Sequence, residues 1–416
     1  MKKAIGIILS AMLLSATSGV SGIRNFNRSD NSSKNVIKNV YMLENEKLLQ
    51  PCNVVQTAQE SLNIRAKSAY LMDFGTESVM YSQNEAERLP IASMCKIMTL
   101  LLSFDAIQDG KLDINEEIVV SERAASMGGS QVFLEANAKY SVKELLKSIV
   151  VCSANDSCVA MAEKIAGSES IFVDRMNEKA QQIGATNTLF ANCTGLPKEP
   201  QYSCAKDVAL MLKNLLYHQE YYTFGKVWMD KFMHPKGRYT EITNTNKLVR
   251  FYDGCDGGKT GFTNEAGFCL AATAKRKDMR VISVVIGESS SSNRFDDVRT
   301  MFDYAFANYS VTPIVEAGTC LEEMAKVDGG KEKSVQIYPK RSAYAFSKKG
   351  EKANYSVEIE VKKIKAPIQK DEEVGELIVF HDGIEKERIS LLAKEEVKRA
   401  NWFDRFKDIA KNWNAR

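Results

Sequence analysis

Three short stretches of this chain carry the residue types that acyl transfer requires: Ser93-Met94-Cys95-Lys96, Ser153-Ala154-Asn155 and Lys259-Thr260-Gly261. Residues three apart on a helix share a face, so a helix through the first stretch sets the Ser93 hydroxyl beside the Lys96 amine. A serine hydroxyl is a poor nucleophile until a base takes its proton. Lysine is such a base only when uncharged, and moving its pKa from near 10.4 to ~7–8 takes roughly 4 kcal/mol of differential interaction. Burial and a second cation both act in that direction, and Lys259 is the natural second cation. Ser153 offers a hydroxyl to relay a proton between Lys96 and a leaving amine. Asn155 offers a carboxamide, either to hold a peptide oxygen of the substrate or to position Lys96. On an edge strand, Lys259 presents charge, Thr260 a hydroxyl, and Gly261 lets a substrate backbone approach closely. Each stretch alone has an ordinary explanation as a solvated helix face, a loop or a turn. The three together are far more specific.

Other chemistries fit less well. Only His218, His234 and His381 are present, none near the serine motifs in sequence, so a Ser-His-Asp triad is less economical. No H-E-x-x-H or other metal-ligand cluster is found, so no metal and no cofactor is implied. The formal net charge is +3, from 56 basic and 53 acidic residues, which provides no field for nucleic acid. Nine cysteines cannot all pair within one chain and show no C-x-x-C spacing; buried thiols acting as small hydrophobes are expected.

The elements that must position these residues follow from periodicity. The stretch 66–81 alternates around Gly75 as a hairpin. Met94, Ile97, Met98, Leu101 and Leu102 recur at helical spacing, predicting a buried helix with Ser93 in its first turn. Helices are predicted over 142–151, 158–165, 168–183 with Ser168 as N-cap, 204–217 and 297–308. Two β-rich runs, 268–272 and 281–286, flank a charged turn. Strands at both ends with helices between predict an α/β (α+β) domain with an antiparallel sheet over residues 64–309. Residues 312–392 alternate with period two and predict a small all-β domain.

The combined motifs resemble those of the serine penicillin-recognising enzymes, which include β-lactamases. Pro90 to Thr99, Gly128-Gly129-Ser130-Gln131-Val132 and Asp256 to Thr263, continued by Asn264 to Phe268, are similar to segments of the low-molecular-mass penicillin-binding proteins. The similarity runs from about residue 60 to 416 and points to the D-alanyl-D-alanine carboxypeptidases, nearest their Gram-positive branch. That resemblance implies a β-lactamase/transpeptidase-like catalytic domain and a peptidoglycan stem pentapeptide as substrate. It implies that Ser93 attacks the penultimate D-Ala carbonyl to form an acyl-enzyme and that Lys96 is the base. Ser153 and Asn155 assist, Lys259 binds near the terminal carboxylate, and the N–H groups of Ser93 and Phe262 form an oxyanion hole. β-Lactams become covalent inhibitors at Ser93. Some relatives carry an Arg where Thr245 stands, so carboxylate binding is expected elsewhere. Arg294 lies where the family places a substrate-binding arginine; a surface residue is the competing reading. A β-lactamase, a D,D-endopeptidase and a non-catalytic wall-binding protein remain alternatives on this fold, although no E-x-x-L-N deacylation loop is found.

The termini complete the reading. Lys2 and Lys3 precede an apolar run, Ala4 to Leu14, and small residues, as in an export signal over residues 1–22. Residues 23–63 are Asn/Ser-rich and read as a polar spacer. Residues 394–416 place Val397, Ala400, Phe403, Phe406, Ile409, Ala410 and Trp413 at helical spacing among basic residues. That pattern predicts an amphipathic helix lying in a membrane surface, with docking on the protein's own surface as the alternative. The expected location is therefore outside the cytoplasmic membrane, on its outer face or in the cell-wall space.

Overall fold

The computed structural model describes residues 62–351, 354–404 and 406, together with the backbone of 23–26 and 39–43. The expected export signal, most of the spacer and residues 407–416 lie outside the described residues. The chain forms two compact units, one spanning 56–314 with 344–351, the other 315–343 with 352–416 and the first 55 residues.

The larger unit is built on a five-stranded antiparallel sheet. Its strands run, in spatial order, Val79–Gln83, Ser68–Asp73, Met279–Glu288, Gly267–Arg276 and Cys255–Thr263. Side chains alternate across it as the pleat requires. Leu71, Leu270, Ala272, Val281 and Val285 face the closing helix Ser291–Asn308 through Phe295, Val298, Met301 and Phe302. Met72, Ala271, Ile282, Val284 and Ile286 face the helical side, where Lys96–Gln108 and Ala205–Leu215 pack. Lys96–Gln108 is apolar nearly all round, as befits a helix surrounded by the others Val142–Cys152, Asn155–Ala166, Glu169–Gln182 and Ala205–Leu215. Ser168 and Ser290 cap the N-termini of Glu169–Gln182 and Ser291–Asn308, accepting from the N–H groups of Ile171 and Asn293.

The smaller unit is an all-β sheet of eight strands, mostly antiparallel, with Tyr355–Val361, Glu373–His381 and Ile384–Ala393 at its centre. Three boundaries differ from the sequence reading. Within the expected spacer, Ile23–Phe26 and Asn39–Leu43 are strands, and the second pairs with Tyr355–Val361. The strand Ala343–Lys348, inside the expected β domain, instead pairs with Tyr309–Val315, and 344–351 belong to the larger unit. The terminal helix does not start at 394. Val397 exchanges backbone hydrogen bonds with Ile368, and both Val397 and Ala400 are buried. Burial in the sheet outweighs the helical period there, and helix begins at Trp402, where Asn401 and Asp404 cap each other.

Candidate active site

Ser93 lies in a 3-10 turn, Ala92–Cys95, that leads directly into the Lys96–Gln108 helix. The turn starts from strain: Ala92 holds φ at 48°, a left-handed conformation costing of order 1–3 kcal/mol for a residue with a Cβ. Ser93 is partly accessible, whereas Lys96 beneath it is fully buried. Lys96 Nζ lies 2.9 Å from Ser93 Oγ and donates to the Thr194 carbonyl at 2.5 Å. Burial drives the Lys96 pKa down from its ordinary value, toward the uncharged amine that can accept a proton.

The second motif is the junction of two helices. Ser153 ends Val142–Cys152 in a left-handed conformation, φ 66°, and Asn155 opens the next helix. The Asn155 N–H donates to the Ser130 carbonyl at 2.7 Å, and its Nδ2 donates to Gly128 O at 2.8 Å. The Gly128–Ser130 loop is thereby tied to this junction. Cys152 feels the charge of Lys259, and Cys158, on the helix after Ser153, that of both Lys96 and Lys259. The junction thus lies within electrostatic range of both lysines.

The third motif lies on Cys255–Thr263, an edge of the sheet that, among the described residues, pairs only with Gly267–Arg276. A Cβ on Gly261 would stand 2.6 Å from the Ile91 carbonyl and 3.3 Å from Ser93 N. Only glycine lets this strand approach the nucleophile turn so closely. Lys259 is buried and donates to Thr260 O at 3.1 Å. Burial first, and then the neighbouring Lys96, push the Lys259 pKa well below its ordinary value. The sequence reading had Lys259 depress Lys96; the repulsion is there, and it falls heavily on Lys259 itself. Thr260 Oγ1 donates to Thr245 Oγ1 at 2.7 Å, so the residue standing in place of an arginine orients a motif hydroxyl. Phe262 is half exposed and stacks on Phe268 with ring centres 4.3 Å apart.

Arg294 is not a surface residue. It is 9% exposed, and its guanidinium donates to Gly261 O at 3.1 Å and Cys269 O at 3.5 Å from the first turn of the closing helix. Three buried atoms of the expected site residues lack a protein partner: Ser153 Oγ, Asn155 Oδ1 and Arg294 Nε. Each such group costs about 1–3 kcal/mol when left dry and unpaired.

Sequence reasoning missed the segment Asn192–Gly195. Its Thr194 carbonyl meets Lys96, and a Cβ on Gly195, φ 79°, would stand 2.0 Å from Ala92 O. The Asn-x-x-Gly spacing was the available signal.

Comparison with known proteins places this geometry. Residues 54–290 match the family described as D-alanyl-D-alanine carboxypeptidase, and residues 309–399 match the penicillin-binding protein 5 C-terminal domain. The chain is 42% identical over 350 residues to D-alanyl-D-alanine carboxypeptidase DacF of Bacillus subtilis (strain 168), covering 84% of this chain and 90% of that one. It is 30% identical to DacC of Escherichia coli (strain K12), covering 84% and 88%. Penicillin-binding protein 5 of Haemophilus influenzae superposes with a TM-score of 0.65 at 29% identity, covering 82% of this chain and 99% of that one. A Streptococcus pneumoniae structure described as a peptidoglycan synthesis regulatory factor (PBP3) superposes with a TM-score of 0.67 at 27% identity, covering 81% and 100%. With the family matched across more than half its length, this chain belongs to the serine-type D-alanyl-D-alanine carboxypeptidases, the S11 peptidases.

Proposed function

We propose that this chain removes the terminal D-Ala from peptidoglycan stem pentapeptides through an acyl-enzyme on Ser93. The observation that carries the reading is the 2.9 Å approach of Ser93 Oγ to the amine of a fully buried lysine. The substrate carboxylate settles by Lys259 and supplies the counter-charge that this amine lacks in the free protein. A proton then resides on Lys259, and repulsion keeps Lys96 uncharged. Ser93 Oγ attacks the penultimate carbonyl, and its proton passes to Lys96 Nζ. The N–H groups of Ser93 and Phe262 hold the oxyanion. Collapse breaks the peptide bond, and Ser153 relays the proton from Lys96 to the departing D-Ala amine. Water then hydrolyses the Ser93 ester by the reverse proton path. Asn155 Oδ1 and the Thr260 hydroxyl orient the substrate on the Gly261 edge. Arg294 acts from below, by holding the Gly261 carbonyl.

D-Ala release from diacetyl-Lys-D-Ala-D-Ala, with uptake of a fluorescent penicillin, tests this reading. The wild type is expected to do both, and Ser93→Ala neither. Wild-type protein that takes up no penicillin refutes the reading, and fast multiple turnover of nitrocefin points to a β-lactamase instead.

The site of action follows from the same reading: stem peptides lie outside the cytoplasmic membrane. No described helix is long and apolar enough to cross a membrane. Trp402, Phe403 and Phe406 are each more than half exposed at the start of the terminal helix. Exposed aromatics among basic residues suit the interface of an anionic bilayer, and we read this terminus as a peripheral anchor.

A further inference from the structure

We infer that Asn192 is a positioning residue for Lys96: it clamps the Asn192–Gly195 turn so that the Thr194 carbonyl takes one amine N–H and leaves the lone pair for Ser93. The inference rests on Lys96 being the base.

Asn192 is 7% exposed, and every polar atom of its side chain is used on the next four residues. Its Oδ1 accepts from Thr194 N at 3.1 Å, Thr194 Oγ1 at 3.2 Å and Gly195 N at 2.7 Å. Its Nδ2 donates to Leu196 O at 2.8 Å. The turn held in this way aims three successive carbonyls at the nucleophile helix. Asn192 O accepts from Cys95 Sγ at 3.3 Å, Cys193 O from Thr99 Oγ1 at 2.7 Å, and Thr194 O from Lys96 Nζ at 2.5 Å. Gly195 passes so close to Ala92 O that no side chain fits there.

An uncharged amine has two N–H bonds and one lone pair, and free rotation about its last bond would point any of the three at Ser93. Among the described residues, Ser93 Oγ and Thr194 O are the partners within hydrogen-bond reach of Nζ. Fixing one N–H on the carbonyl restricts the rotor. The carbonyl also stabilises an ammonium more than an amine, because charge-assisted hydrogen bonds are the stronger. Losing it therefore lowers the Lys96 pKa further, whereas loosening that admits water raises the pKa toward its ordinary value.

The test compares Asn192→Ala with Asn177→Ala. Asn177 pins the same loop through Phe190 N and O, without reaching Thr194. Acylation by fluorescent penicillin is followed against pH and concentration, with thermal midpoints for each variant. Asn192→Ala is expected to cut the limiting acylation rate about 10–100-fold, the scale of a small misplacement. Its penicillin affinity should hold, and its acid limb should move to lower pH. Asn177→Ala should lose stability and keep its rate. Asn192→Ser, whose hydroxyl makes the same turn more weakly, should recover part of the rate, and it carries the test if the alanine variant does not fold. A wild-type rate in the Asn192 variants, equal losses in both alanine variants, or an acid limb that moves upward would each overturn the inference. Wild-type protein that takes up no penicillin would instead overturn the underlying function.

Discussion

Two buried amines share one site, and that fact governs its pH response. Lys96 titrates below its ordinary value because burial penalises the ammonium, and Lys259 is held well below its own by burial and then by the charge of Lys96. Acylation needs Lys96 unprotonated, so its rate should rise with pH through a limb below the usual lysine range. A bound penicillin carboxylate holds a proton on Lys259, and Lys259→Gln removes that charge beside Lys96, so the limb of the limiting acylation rate should move to higher pH. Stopped-flow acylation between pH 5 and 10 measures both limbs; an unmoved limb contradicts the mutual repulsion. Position 96 was legible because serine and lysine at helical spacing advertise their chemistry. Thr194 was not, since it contributes a backbone carbonyl that every residue type supplies. Nor was the burial of Arg294, because a guanidinium earns its place there from two carbonyls, Gly261 and Cys269, distant in sequence.

The elements hold the site by close approach and by a partly buried ion pair. The edge strand Cys255–Thr263 is anchored at its start by Asp256, whose carboxylate receives both Arg280 amino groups at 2.6 and 2.8 Å. The pair is only partly buried, so the loss of its charge-assisted hydrogen bonds, about 1.5–3 kcal/mol, sets the scale by which Asp256→Ala should lower denaturant stability. Chemical unfolding checks it. At the other end, Gly261→Ala drives a methyl toward the Ile91 carbonyl. A displacement near 1 Å costs about 10²-fold, so penicillin acylation should fall by that factor while circular dichroism stays native. The helices and central strands were legible because apolar period and serine caps agreed. Two features were not. Ile23–Phe26 and Asn39–Leu43 join a sheet from a polar stretch, through backbone pairing that composition does not report. Residues 394–400 keep a helical period yet run extended, since Val397 gains more from burial beside Ile368 than from a helical turn.

At the scale of the molecule, one buried acid ties stability to pH. Glu288 is 1% exposed and lies against Asp297, whose carboxylate is held by Arg65 at 2.7 Å. Burial, and then Asp297, push the Glu288 pKa up to about 8, whereas the unfolded chain titrates near 4.5. Between those values the folded state binds the extra proton, so stability should fall as pH rises from about 4.5 to 8 and then level. Glu288→Gln should flatten this slope, with a thermal midpoint above wild type at pH 9. A slope unchanged in the variant counts against the shared proton. The terminus makes a separate prediction: replacing Trp402, Phe403 and Phe406 together by alanine should abolish co-sedimentation with anionic phospholipid vesicles while D-Ala release persists.

The strand Ala343–Lys348 lies beside Tyr309–Val315, with the rings of Phe346 and Tyr309 stacked 5.0 Å apart. The chain thus leaves the catalytic body, threads part of the second domain and comes back before leaving for good. No single cut in the gene separates the two. An enzyme shortened to end just after Val315 would bare the strand Tyr309–Val315, which its own downstream sequence is meant to cover, and would invite association through that margin. A swap of tail domains between relatives would stay intact only if residues 344–351 travelled with the catalytic half.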